Sequence, residues 1–214
     1  MNDLDAARQR MVDSQLRSRG ITDARVLEAM LHVPRHEFVP EPYREQAYED
    51  HPLPIGEGQT ISQPYVVAAM LTMLQLNRPD KVLEVGTGSG YVTALLAGLA
   101  GEVYSVERHT SLAENAHDAL ARLGYKNVNL NTGDGSLGLP DAAPFDAIIV
   151  SAAAADVPHA LVDQLGEGGR MVIPVGNAES QQLLFIRKVN GQPVISAREA
   201  VRFVPLISEG RPAE

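Results

Sequence analysis

The sequence contains no cysteine, which excludes disulfides, a thiolate nucleophile and a cysteine-based zinc site. No apolar run approaches the roughly 20 residues needed to cross a bilayer, so no transmembrane helix is expected. The opening MNDLDAARQRMVD is charged and lacks the apolar stretch of a secretory leader. These absences together point to the cytoplasm. Basic residues are scarce as well: 18 Lys and Arg against 27 Asp and Glu leave a formal charge of -9. That balance weighs against non-specific binding to nucleic acid, which rests on neutralising phosphates. A local basic patch would have to come from Arg17, Arg19 and Arg25, and a solvated helix face is the commoner origin of such a cluster. There is no internal repeat and no low-complexity segment.

What is present is ordered alternation. Residues 3–18 carry a loose apolar stripe of Leu4, Ala7, Met11 and Leu16 and predict a helix, ended by Gly20. Thr22 or Asp23 can cap a second helix through about Leu31, closed by Pro34. Four prolines between Pro40 and Pro54 predict an irregular segment wrapped over the main body. From Pro64 the chain turns apolar, and Pro suits the first turn of a buried helix. Short apolar runs at 81–86, 103–107, 127–134, 145–151 and 170–176 then alternate with helical patterns. Strand–helix alternation predicts right-handed crossovers and a mostly parallel sheet. The end breaks the rule: 181–189 and 193–208 are strand-like runs joined by Asn190-Gly191, a strong hairpin signal. The fold class is therefore α/β, a doubly wound and mostly parallel seven-stranded sheet with N-terminal helices and a C-terminal antiparallel hairpin. Residues 1–60 are read as a helical extension and wrapping segment, and 61–214 as the core.

The chemistry is concentrated where the first strand of the core ends, in VLEVGTGSG (82–90). Gly86, Gly88 and Gly90 stand at a strand-to-helix turn on the carboxyl edge of the sheet, where such folds bind ligands. A dinucleotide fingerprint would need glycine or alanine at 91, and Tyr91 stands there. Glu84 would repel a pyrophosphate, whereas near the ammonium of a methionine moiety its carboxylate is useful, directly or through water. The loop thus favours S-adenosylmethionine over NAD. Glu107, with Arg108 beside it, closes the next strand, and an acid there can accept from both ribose hydroxyls. Asp134 and Gly135, after the third strand, come next along the same edge, placed to meet an adenine ring.

Several stretches resemble the protein-L-isoaspartate (D-aspartate) O-methyltransferase family, a branch of the class I S-adenosylmethionine-dependent methyltransferases. They are GQTISQPYVVAAM (58–70), VLEVGTGSGYVTALLA (82–97), GDG (133–135) with APFDAIIV (143–150), GGRMVIPVG (168–176) and VRFVPLIS (201–208). The N-terminal MVDSQLRSRGITDARVLEAMLHVPRHEFVP is similar too. The resemblance implies that Ser62 is the active-site serine and that Gln59, Thr60 and Ile61 cover cofactor and substrate. It implies that Val204, Pro205 and Leu206 lie on the substrate side. Where this chain reads SAAAADVP (151–158), bacterial relatives more often carry a threonine and a proline pair, so peptide preference is the property this departure touches.

On this reading S-adenosylmethionine is the cofactor. The acceptor is the free carboxylate of L-isoaspartyl residues in damaged proteins, with D-aspartyl residues as a second candidate. Methylation would start repair through a succinimide. A carboxylate with a reference pKa of about 3.9 is already ionised at neutral pH, so no general base is needed and alignment does the work. Ser62 would orient the acceptor, a role compatible with capping the helix after Pro64. It would not be a nucleophile, since no G-x-S-x-G elbow surrounds it. The six histidines show no metal-ligand spacing, and His51 alone lies near the proline-rich segment. Metal, nucleic acid and membrane are not expected, and a monomer is the default. Two alternatives stand: a class I methyltransferase with a small-molecule or RNA acceptor, or a non-catalytic relative that only binds S-adenosylmethionine. No N-P-P-Y type motif supports base methylation.

Overall fold

The computed structural model describes residues 3–207. Five strands form the parallel body: β3 (Lys81–Val85), β4 (Glu102–Glu107), β5 (Val128–Thr132), β6 (Phe145–Val150) and β7 (Leu165–Gly176), with β3 and β6 at its centre the most apolar. β8 (Gln181–Val189) and β9 (Gln192–Val201) extend them. The order is β5-β4-β3-β6-β7-β8-β9, and only the β7–β8 and β8–β9 pairs are antiparallel. The β8–β9 turn uses Asn190 at φ 52° and Gly191 at φ 73°, the double left-handed conformation that Asn-Gly supplies at least cost.

Adjacent strand residues bury into opposite layers, the reason the runs are apolar throughout rather than alternating. Val82, Val103, Ala147, Ile149 and Val172 join the larger cluster, with α3 (Pro64–Leu74), α4 (Tyr91–Leu99) and α5 (Thr110–Arg122). Leu83, Val106, Ile148, Val150 and Ile173 join the smaller one, with α6 (His159–Asp163) and short 3-10 turns. The larger cluster also takes in Met11, Val12 and Leu16, and Val26, Leu27 and Met30 of α2 (Ala24–His32), so the N-terminal segment shares the core of the sheet. Asp23 caps α2 by accepting from the Arg25 and Val26 amides.

Three expectations need correction. The helix over 3–18 is α-helical only as α1 (Asp3–Arg10); Met11–Leu16 widens into a π-helical turn and Arg17–Arg19 tightens to 3-10 before Gly20 at φ 91°. The segment 40–54 is not wholly irregular: it holds a 3-10 turn at Glu41–Gln46 and leads into a hairpin, β1 (Leu53–Gly56) and β2 (Gln59–Ile61). Glu57 and Gly58 turn it with φ of 51° and 68°, and a glutamate in that place gives no Asn-Gly signal to read. The run 193–208 leaves the sheet at Val201, and Pro205 bridges to Ala153. Ser208, the last residue of that run, lies outside the described residues.

Candidate active site

Between β3 and β6 the strand order reverses, and the carboxyl ends of β3, β4 and β6 open there into a cleft. The glycine loop is pinned to β4 by the Gly86 amide, which donates to the Val106 carbonyl at 2.8 Å. Gly88, at φ 54°, has Ile55 of β1 only 3.3 Å from where a Cβ would sit. A Cβ on Gly135 would meet Val85 at 2.5 Å. Backbone alone can line the cleft at these places, which leaves it room for a ligand.

Glu107 is 6% exposed, and its carboxylate is fixed from two sides. One oxygen accepts from the Gly88 amide at 2.8 Å and the other from the His109 amide at 2.9 Å. A carboxylate has about four acceptor sites, so two remain for hydroxyl donors. Of the residues singled out in the sequence, Gln59, Thr60, Ile61, Ser62, Gly86, Gly88, Glu107, Arg108, Gly135, Val204, Pro205 and Leu206 form the cleft wall.

Glu84, Gly90 and Asp134 are not in that wall. The Glu84 side chain points into the layer below, fully buried, and one oxygen accepts from Thr93 at 2.5 Å and Ser105 at 2.7 Å. Its other oxygen has no partner among the described residues. Burial pushes this carboxyl up to about 8, with the Glu107 charge adding to the effect. Alternation along β3 explains the placement, because Val85, one residue on, is the side chain that reaches the cleft. Gly90 begins α4 at φ 86° and lets it settle on α5, where a Cβ would lie 3.2 Å from Ala116. Asp134 caps the turn after β5, accepting from the Ser136 amide at 2.9 Å and hydroxyl at 2.7 Å.

A second, larger cavity adjoins the first. Its wall comes from Arg19, α3, Leu183 and residues 199–204. Thr60, Ser62, Ser151 and Val204 belong to both walls, so Ser62 stands at the seam. The helix that follows is not capped by Ser62: Gln63 holds the cap position, and no side chain there closes the first turn. Asp50 serves instead, accepting from the Gln63 side chain at 2.8 Å and the Tyr65 amide at 3.4 Å. The Ser62 hydroxyl has no partner among the described residues.

Residues 6–211 match the family model described as protein-L-isoaspartate(D-aspartate) O-methyltransferase. The chain belongs to that family. It is 58% identical over 200 residues to the protein-L-isoaspartate O-methyltransferase of Koribacter versatilis (strain Ellin345), covering 94% of this chain and 90% of that one. A solved protein-L-isoaspartate O-methyltransferase superposes with a TM-score of 0.84 at 31% identity, over 92% of this chain and 65% of its own length. A Plasmodium falciparum protein of the same description, in complex with S-adenosyl-L-homocysteine, gives 0.82 at 28% identity, covering 98% of this chain and all of its own.

Within this family frame, three residues escaped the sequence reading. Ser151 ends β6 at the reversal point and donates its amide to the Val85 carbonyl at 2.8 Å. The rule that ligands sit at such points could have found it. Gln181, 8% exposed, holds Phe203 by both backbone groups, donating to the carbonyl at 3.1 Å and accepting from the amide at 2.6 Å. That clamp turns the chain off β9 so that Ala153 pairs with Val204 and Leu206, each at 2.7 Å. The divergent loop after β6 is therefore the seat of the Val204–Leu206 segment. No local signal marks Gln181, and Arg19 was read as a surface cation. His51 faces Glu49 and the Pro52 carbonyl and enters neither cavity. Among the described residues no three acidic or histidine side chains form a metal-holding group.

Proposed function

We propose that this chain is an S-adenosylmethionine-dependent methyltransferase that esterifies the free carboxylate of isoaspartyl residues in damaged proteins. The observation that carries the reading is the position of Ser62, in the wall shared by the cleft at the strand reversal and the larger cavity beside it. The cleft residues suit the cofactor. Glu107, buried and aimed by two amides, accepts from the ribose hydroxyls, while Gly86, Gly88 and Gly135 allow backbone approach. When bound, the cofactor supplies a sulfonium methyl whose sulfur departs neutral.

The protein's own contribution is alignment. An isoaspartyl carboxylate is ionised at neutral pH, so no residue needs to remove a proton. The Ser62 hydroxyl, without a partner among the described residues, donates to one carboxylate oxygen and leaves the other directed at the cleft. Thr60 and Val204, also in both walls, narrow the passage between the two cavities. Holding acceptor and donor in one geometry converts a bimolecular encounter into an intramolecular one. The methyl ester then loses methanol as the following peptide nitrogen closes a succinimide, which water opens to aspartate or isoaspartate.

Among the described residues no helix is long and apolar enough to cross a membrane, and we place the enzyme in the cytoplasm with isoaspartyl-bearing proteins as its partners. Labelled S-adenosylmethionine with an isoaspartyl peptide and its aspartyl twin tests the reading. Only the isoaspartyl peptide should gain label; equal labelling, or none, rejects it. Ser62→Ala should lower kcat about 10- to 100-fold, the scale of one hydrogen bond to a charged group. S-adenosylhomocysteine affinity by calorimetry should stay within about threefold.

A further inference from the structure

The second cavity contains a fixed cation that the alignment chemistry does not use. Arg19 lines that cavity and is absent from the wall of the first. Its guanidinium lies 3.4 Å from the centroid of the Tyr65 ring. One nitrogen donates to Asp50 at 2.6 Å. Asp50 is not part of the cavity wall. Of the five N–H groups a guanidinium offers, the others have no partner among the described residues, and the side chain remains 43% exposed. The remaining charges on that wall, Glu199 and Arg202, are of opposite sign. With Asp50 paired to Arg19 these charges balance, so what Arg19 offers the cavity is N–H donors without a protein partner among the described residues.

A guanidinium held by an aromatic face and a carboxylate has already lost the rotamer freedom that an arginine otherwise gives up on binding. Its position also says which group it meets. It faces the cavity that holds the body of the acceptor chain, not the cleft that holds the methyl. We infer that Arg19 is a specificity-determining residue that recognises a second carboxylate, carried by an acidic residue next to the isoaspartyl site. The inference rests on the acceptor reading given above. It deepens that reading by naming a substrate class: isoaspartyl segments with an acidic neighbour.

The test uses blocked isoaspartyl peptides identical except for one neighbouring residue: glutamate, glutamine or lysine, placed in turn before and after the isoaspartyl. With the wild-type enzyme, the glutamate peptide at one of the two places should show a KM about tenfold below its glutamine twin at equal kcat, the size of one charge-assisted contact. The lysine peptide should be the poorest. Arg19→Ala should bring the glutamate-to-glutamine ratio to about one, and Arg19→Lys should retain about threefold through charge without the planar fork. Arg202→Ala should leave the ratio in place. An unchanged ratio in Arg19→Ala, or no ratio in the wild type, overturns the inference. So does a variant whose glutamine-peptide kcat falls as far as its glutamate-peptide kcat, since Arg19 would then only brace Asp50 and the Ser62 segment. Absence of label on every peptide fails the acceptor reading itself, and this inference with it.

Discussion

The two cavities that meet at Ser62 are built by different means. The cofactor cleft takes its floor from the ends of β3, β4 and β6, with the glycine loop and the Glu107 carboxylate locked by backbone hydrogen bonds. The acceptor cavity has no such frame. It is assembled from Arg19 near the start of the chain, the head of α3, and the segment after β9, each held by a side chain reaching across: Asp50 for the first two and Gln181 for the third. The contrast separates two kinds of precision. Parallel strands fix a cofactor once for any reaction, while side-chain clamps between distant segments can be changed singly to alter the acceptor.

The sharpest way to break that contrast is at Glu107. Glu107→Ala leaves the Gly88 and His109 amides without their acceptor and removes the ribose contact. S-adenosylhomocysteine affinity should fall by about 100-fold or more, two hydrogen bonds to a charged group being at stake. Calorimetry returning a Kd within about threefold of wild type would show that the cleft does not depend on this carboxylate. A smaller and opposite signature is expected from Gln181→Ala. With the clamp on Phe203 gone, the peptide KM should rise about three- to tenfold, the worth of one or two neutral hydrogen bonds. Cofactor affinity should barely move; a matching loss in both would mean the cavities are not separately built.

A pH-dependent signature is expected from Glu84 beneath the glycine loop. Its ordinary value of 4.5 is raised to about 8 by burial. Between those two values the folded protein keeps a proton that the unfolded chain releases, so this group makes stability fall as pH rises through that window, levelling above it. Glu84→Gln cannot titrate. The Tm difference between variant and wild type should therefore move steadily in the variant's favour from pH 5 to pH 8.5. Parallel Tm profiles would show that the floor of the cleft tolerates an ionised carboxylate.

Much of the fold could be read from local pattern. Parallel strands are buried on both faces, so 81–86, 103–107 and 145–151 show as mainly apolar runs, and Asn190-Gly191 marks its own turn. The hairpin at 53–61 escaped because Glu57 takes a left-handed conformation that no preference for glutamate announces. The glycine loop and Glu107 were legible for a related reason: a strand end, a tight turn and an acid one strand later are neighbours in both sequence and space. Glu84, Gly90 and Asp134 lie in the same motifs yet stand outside the cleft wall, since spacing does not say which way a side chain faces.

By itself the sequence determined the alternation of strand and helix, the glycine turn at 86–90 and the resemblance that singles out Ser62. These rest on backbone preference and burial periodicity, which act over a few residues. Only the tertiary structure decided that Arg19, Ser62 and Val204 gather at one cavity with Asp50 holding Arg19, that Gln181 steers the chain after β9, and that Glu84 turns away from the ligand space. Those outcomes depend on contacts between segments far apart in the chain, and no local preference encodes where distant segments will meet.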